Sequence, residues 1–212
     1  MPVIKIEYYG DGVRAIVFDR PDSPHNFMNS EVIKELHQAV LDLAADEEVK
    51  GVVIASAKKS FLVGGDLREL QTLKTSDDAA MIIADVQSCM REIELASKPF
   101  VAAINGLALG GGLEIALACT YRIAADDPRL KLGLPEVSLG LIPGAGGTQR
   151  LPRLIGLAAA LPIMVENQQV TVAKAWEVGL IDEIVPLNDL IDHAKKSILS
   201  GTAPSDQPWD RE

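Results

Sequence analysis

Two glutamates occupy surroundings that ill suit a carboxylate. Glu114 lies in the run Gly111-Gly112-Leu113-Glu114-Ile115-Ala116-Leu117-Ala118, and Glu136 follows Leu134-Pro135 inside a second apolar run. Acids are rarely fully buried unless paired or employed. Each has an ordinary reading: Glu114 complements a helix dipole, and Glu136 is a surface acid. Both, however, stand beside glycine-rich junctions. A strand-like segment at 100–104 runs through Asn105-Gly106 into Gly110-Gly111-Gly112 and then a helical stretch. Glycines there let a ligand approach the backbone, and a helix start adds free N–H donors and a positive dipole end. That is the equipment of an oxyanion hole, although a tight strand-to-helix turn would use the same residues. Phe61-Leu62-Val63-Gly64-Gly65-Asp66-Leu67 is a second such junction, with Asp66 placed to cap the next helix. Two buried acids facing two donor loops are harder to explain structurally than either acid alone. Burial would raise a carboxyl pKa while a helix N-terminus lowers that of Glu114, and unlike surroundings separate two acids into two roles.

Other chemistries fit less well. A P-loop ends in Gly-Lys-Ser/Thr, which does not occur here, and Gly144-Ala145-Gly146 has Gln149 where a dinucleotide fingerprint needs its third glycine. His25, His37 and His193 show no ligand spacing, so no metal is expected. The net charge of −10, without a basic stripe, argues against nucleic acid. An anionic ligand would need local cations or helix N-termini to hold it against that field. No segment approaches the length of a membrane span, and Met1-Pro2-Val3-Ile4-Lys5 has no signal-peptide pattern, so a cytoplasmic setting is expected. Cys89 and Cys119 sit in apolar contexts and read as buried small hydrophobes.

The elements that must position these groups alternate between strand and helix, which argues for an α/β fold. Only 4% of residues are aromatic, so Ala, Val, Leu and Ile must fill the core. Strands are expected at 3–9 and 13–18, joined by an Asp11-Gly12 hairpin turn, and at 51–56, 100–104 and 121–125. Asn29 or Ser30 should cap a helix to about Ala44 that buries Val32, Ile33, Leu36, Val40 and Leu43. A second helical region breaks near Thr75-Ser76 and ends at Lys98-Pro99. Further helices are expected from about Leu113 and over 148–154, 156–165, 171–178 and 188–199, with strand and loop over 131–150. Residues 201–212 read as a linker or frayed tail after one domain over 1–200.

Together these segments resemble the enoyl-CoA hydratase/isomerase (crotonase) superfamily. Phe61 to Leu67 is similar to its F-x-A-G-A/G-D-L loop. Asn105-Gly106-Leu107-Ala108-Leu109-Gly110-Gly111-Gly112-Leu113-Glu114 is similar to N-G-x-A-x-G-G-G-x-E, and Leu134 to Leu151 to L-P-E-V-x-L-G-L-x-P-G-x-G-G-T-Q-R-L. Ala175 through Asp182 is a weaker match, and the likeness runs from about residue 5 to 199. The resemblance implies a spiral of ββα units with C-terminal helices. It implies Gly65 and Gly111 as oxyanion-hole amides and Glu114 and Glu136 as catalytic acids. It also implies hydration of 2-enoyl-CoA to 3-hydroxyacyl-CoA in fatty-acid β-oxidation. Alternatives are a Δ3-Δ2-enoyl-CoA isomerase or a non-catalytic CoA-binding module. An acyl-CoA thioester would be the substrate, with coenzyme A part of it and no separate cofactor.

By the same resemblance, the backbone of Asn26-Phe27-Met28 runs along the coenzyme, Val63 and Asp66 belong to the binding loop, and Arg68 is placed to meet phosphates, with Lys58 and Lys59 as weaker candidates. Val63 and Gly65 replace commoner alanines, Thr120 a common Asp, and Glu166-Asn167 a usual Thr-Gly. A Pro-Trp segment such as Pro208-Trp209 follows the hydratase region of multifunctional relatives and leads to a 3-hydroxyacyl-CoA dehydrogenase part. A homo-oligomer or such a following domain is the expected partner. This chain lacks the helices that cover the acyl pocket in single-function hydratases, so weak activity is expected of it alone.

Overall fold

The computed structural model describes residues 2–211. The chain opens on a hairpin of β1 (Ile4–Gly10) and β2 (Val13–Phe18). Asp11 and Gly12 both have positive φ, 55° and 87°, as a tight hairpin turn requires, so the Asp-Gly signal is realised as expected. Helix α1 (Ser30–Ala45) is capped by the Asn29 side chain, which accepts from the Val32 N–H, and it buries the five apolar residues its periodicity singled out. Each such side chain contributes about 1.5–3 kcal/mol on leaving water.

Three successive turns then repeat one pattern of strand, short strand and helix. The first is β3 (Gly51–Ser56), β4 (Leu62–Val63), and α2 (Leu67–Leu70) with α3 (Ser76–Leu95). The second is β5 (Phe100–Ile104), β6 (Ala108–Leu109) and α4 (Gly111–Ala118). The third is β7 (Tyr121–Ala125), β8 (Lys131–Gly133), a 3-10 turn at Pro135–Leu139, and α5 (Gly147–Ile155). The long strands assemble into one sheet, in the order β1-β2-β3-β5-β7-β10, where β10 is Glu183–Val185. The short strands assemble into another, in the order β4-β6-β8-β9, where β9 is Val170–Thr171. This is the expected spiral of ββα units. C-terminal helices α6 (Leu157–Val165), α7 (Val172–Glu177) and α8 (Leu190–Leu199) complete it.

Strand β5 is buried throughout and β3 is buried from Gly51 to Ala55, which explains their continuous apolar sequence. The Thr75–Asp78 capping box starts α3 at the expected break, with side chain and backbone satisfying each other reciprocally. All eight residues of α4 are buried, and the helix begins at Gly111, two residues before the expected Leu113. Its glycines permit that early start because backbone packs on backbone there: a side chain on Gly112 would overlap the Leu62 carbonyl.

The segment after α8, expected as a linker or frayed tail, is anchored to the domain by two side chains. Gln207 is fully buried, and its side-chain N–H₂ donates to Ala118 O at 2.7 Å and Cys119 O at 3.0 Å. Those carbonyls end a helix in the buried interior, and the Gln207 side chain supplies them a donor. Asp210 then pairs with Arg91 at 2.7 Å. Glu212 lies outside the described residues.

Candidate active site

The small sheet brings the candidate residues together. Its parallel strands lie in register, with Val63 beside Leu109 and Leu109 beside Gly133. The next residues of all three therefore emerge from one edge: Gly64-Gly65 after β4, Gly110-Gly111 after β6, and Leu134-Pro135-Glu136 after β8. Residues separated by about seventy positions in sequence thus become neighbours through two short pairings.

The segment Asn26-Phe27-Met28 lies along the outer side of β4. Val63 N–H donates to Asn26 O at 3.0 Å, Met28 N–H to Gly64 O at 2.8 Å, and Asp66 N–H to Met28 O at 2.7 Å. The Gly65 N–H takes no part in this pairing, and no acceptor among the described residues holds it. Gly111 opens α4, where an N–H has no acceptor one turn earlier. The two loops touch: a methyl placed on Gly110 would lie 3.4 Å from Gly64 Cα. Gly110 has φ 55° and ψ −130°, a conformation essentially reserved for glycine. The Met28 side chain packs against Gly111 where a β-carbon would otherwise stand.

Glu114 is only 2% exposed. One carboxylate oxygen, Oε1, accepts the Gly147 N–H at 2.8 Å, while Oε2 would stand 4.0 Å from a methyl on Gly111. Burial pushes its pKa up to about 7, and the nearby Glu136 charge adds to the rise. The Gly147 and Ala145 N–H groups and the Arg150 charge oppose it. Glu114 also lies in the first turn of α4, and Gly147 begins α5, so the carboxylate meets the positive ends of two helices. Burial wins this contest and leaves an acid able to exchange a proton near neutral pH.

Glu136 is half-buried on the 3-10 turn, and burial raises its pKa too. Its Oε1 would lie 2.8 Å from a methyl on Gly110, which turns the carboxyl toward the glycine loops. Its Oε2 is buried with no hydrogen-bond partner among the described residues. The surface reading of Glu136 therefore does not describe its setting, and the dipole reading of Glu114 holds but leaves its burial unexplained.

The remaining expected residues divide by position. Asn26 is fully buried, and its side chain ties Phe18 O, Ser56 Oγ and the Arg20 N–H together, so it holds the loop in place. The Phe27 ring stacks under the Arg20 guanidinium, 3.9 Å from the ring centre. Val63 lies in β4, directly before the glycine pair. Asp66 caps α2 by accepting the Arg68 N–H at 2.9 Å, and the Arg68 side chain, 84% exposed, reaches back to it at 3.4 Å. Lys58 is engaged by Asp19 at 3.0 Å. Gly147 and Arg150 lie inside the Leu134–Leu151 motif, which assigned them no role, and nothing local marks Glu94.

The enoyl-CoA hydratase/isomerase family model matches residues 9–200. The chain is 41% identical over 199 residues to the fatty acid oxidation complex subunit alpha of Shewanella loihica, covering 93% of this chain and 28% of that one. The chain thus spans little more than a quarter of that relative. Among solved structures, it is similar to an enoyl-CoA hydratase from Bacillus anthracis, with TM-score 0.87 and 32% identity over 94% of this chain and 76% of that one. It is also similar to DspI of Pseudomonas aeruginosa, with TM-score 0.87 and 28% identity over 96% and 82%. The fold, the motifs and these likenesses agree, and the chain belongs to the enoyl-CoA hydratase/isomerase family.

Proposed function

We propose that this chain hydrates 2-enoyl-CoA thioesters to 3-hydroxyacyl-CoA. In this reading the thioester oxygen accepts hydrogen bonds from Gly65 and Gly111. Water is held between Glu114 and Glu136. Glu114 takes a proton as the water oxygen bonds to the β-carbon, and the electron pair of the double bond moves toward the thioester oxygen as an enolate. Donors fixed before the reaction stabilise that charge without reorganising, and each is typically worth about 3–4 kcal/mol. Glu136 then protonates the α-carbon. Glu114 ends protonated and Glu136 ionised, and proton exchange through solvent resets the pair.

The observation that carries this reading is the delivery of two carboxyls and two unengaged amides to one edge of the small sheet. A base with a pKa of about 7 supports it further. Coenzyme A enters as part of the substrate, and the exposed Arg68 is the cation proposed for its phosphates. The name of the Shewanella relative supports fatty-acid oxidation as the setting and a larger assembly as the context. A 3-hydroxyacyl-CoA dehydrogenase part is the proposed consumer of the product. The test follows loss of the enoyl thioester absorbance with this chain and with Glu114→Gln and Glu136→Gln. Loss of hydration in both variants supports the assignment, and undiminished hydration in both removes it.

A further inference from the structure

Arg150 is a buried cation with no place in the proposed reaction, and it is 8% exposed. Its guanidinium donates to Ala145 O at 2.8 Å and to Glu94 Oε1 at 2.7 Å. Its own N–H donates to Gly146 O at 2.9 Å. Arg150 therefore grips the turn 145–147 by two successive carbonyls, and the same turn presents the Gly147 N–H to Glu114. Gly146 has φ 109°, and a side chain there would overlap the guanidinium, so glycine is what lets Arg150 reach Ala145. Glu94, 6% exposed, holds Arg150 from the opposite side. Its other oxygen accepts from Arg91 at 2.9 Å, and Arg91 in turn pairs with Asp210.

We propose that Arg150 is a positioning residue for Glu114, acting through the Ala145–Gly147 turn, and that Glu94 holds it in place. This rests on the reading of Glu114 as the base. The guanidinium touches no reacting atom. It keeps the turn's N–H groups aimed at the carboxylate, and its charge favours the ionised carboxylate against the opposing charge of Glu136. Without it, the Ala145 carbonyl is released, the N–H aim loosens, and the buried anion loses stabilisation. Arg is required over Lys because two directions must be served at once by a planar fork.

The experiment titrates Glu114 by carboxyl-carbon NMR in the chain itself, assigned by disappearance of its signal in Glu114→Gln. Arg150→Met should move that titration upward by about one pH unit, with Arg150→Lys in between. In the hydration assay the alkaline-rising limb should move the same way, and kcat should fall roughly 10–100-fold with KM little changed. Should Arg150→Met not fold, Glu94→Gln, which leaves the guanidinium but loosens its hold, should give a smaller shift in the same direction. An unmoved Glu114 titration in a folded Arg150→Met, or in a folded Glu94→Gln where the first is unfolded, overturns the proposal. Full hydration by Glu114→Gln would instead remove the reading of Glu114 as base. The NMR titration, which needs no turnover, would still decide whether Arg150 positions it.

Discussion

Replacing Glu114 by Gln removes an ionisable group and little else. The amide is nearly the same size, and its oxygen can still accept the Gly147 N–H. The carboxyl has a folded-state pKa of about 7 against an ordinary 4.5, mainly because it is buried. Between those pH values the folded protein binds the proton and the unfolded chain does not. Stability is therefore highest below about pH 4.5, falls as pH rises toward 7, and levels off above. A gap of about 2.5 pH units, at about 1.4 kcal/mol each, gives about 3 kcal/mol of stability lost to this one group. Glu114→Gln escapes that loss. Urea denaturation followed by circular dichroism from about pH 4 to about pH 8 reads the difference between variant and wild type. The variant should gain about 3 kcal/mol on the wild type across that range. Two curves that run parallel at every pH would refute the argument, since Glu114 would then titrate alike in folded and unfolded chains.

Other expectations concern the supports of the site. Gly110→Ala forces a positive φ on a side-chain-bearing residue and drives a methyl to 2.8 Å from Glu136 Oε1; it should cost about 1–3 kcal/mol, and an unmoved urea midpoint would contradict this. Gln207→Ala takes the donor from the buried Ala118 carbonyl, while Cys119 O keeps its bond from Arg122, and should cost about 1–3 kcal/mol in the same measurement. Arg122, 2% exposed, bonds Leu180 O and Cys119 O and pairs with Asp182 at 2.9 Å. Arg122→Met leaves Leu180 O without its donor and takes the cation from Asp182, and should cost about 1–3 kcal/mol, visible as a lowered melting temperature.

The local rules proved readable wherever one segment carried its own signal. The Asp11-Gly12 turn, the Asn29 cap with its five apolar residues, and the buried runs at 51–55 and 100–104 all act over a few neighbours. Asn167, standing where the family commonly has glycine, adopts a left-handed backbone at φ 55°, which Asn tolerates. The candidate site residues were legible for a different reason: acids embedded in apolar runs are costly, so their presence points to a purpose. Illegible were the contacts made between distant segments of unremarkable composition. Strands β9 and β10 have only two and three residues and exist through pairing with β8 and β7. The Glu94–Arg150 pair spans 56 positions, and Gln207 sits in a stretch whose Ser, Pro and charges suggest a loose end. Its burial follows from what α4 needs at its C-terminus, and no pattern near 207 records that need.

The most direct test is a crystal structure of this chain with a 3-hydroxyacyl-CoA bound. The thioester oxygen should lie about 3 Å from both the Gly65 and Gly111 nitrogens, with the 3-hydroxyl between the carboxyls of Glu114 and Glu136. A thioester carbonyl bonded to other groups, or a hydroxyl that reaches neither acid, would contradict the account.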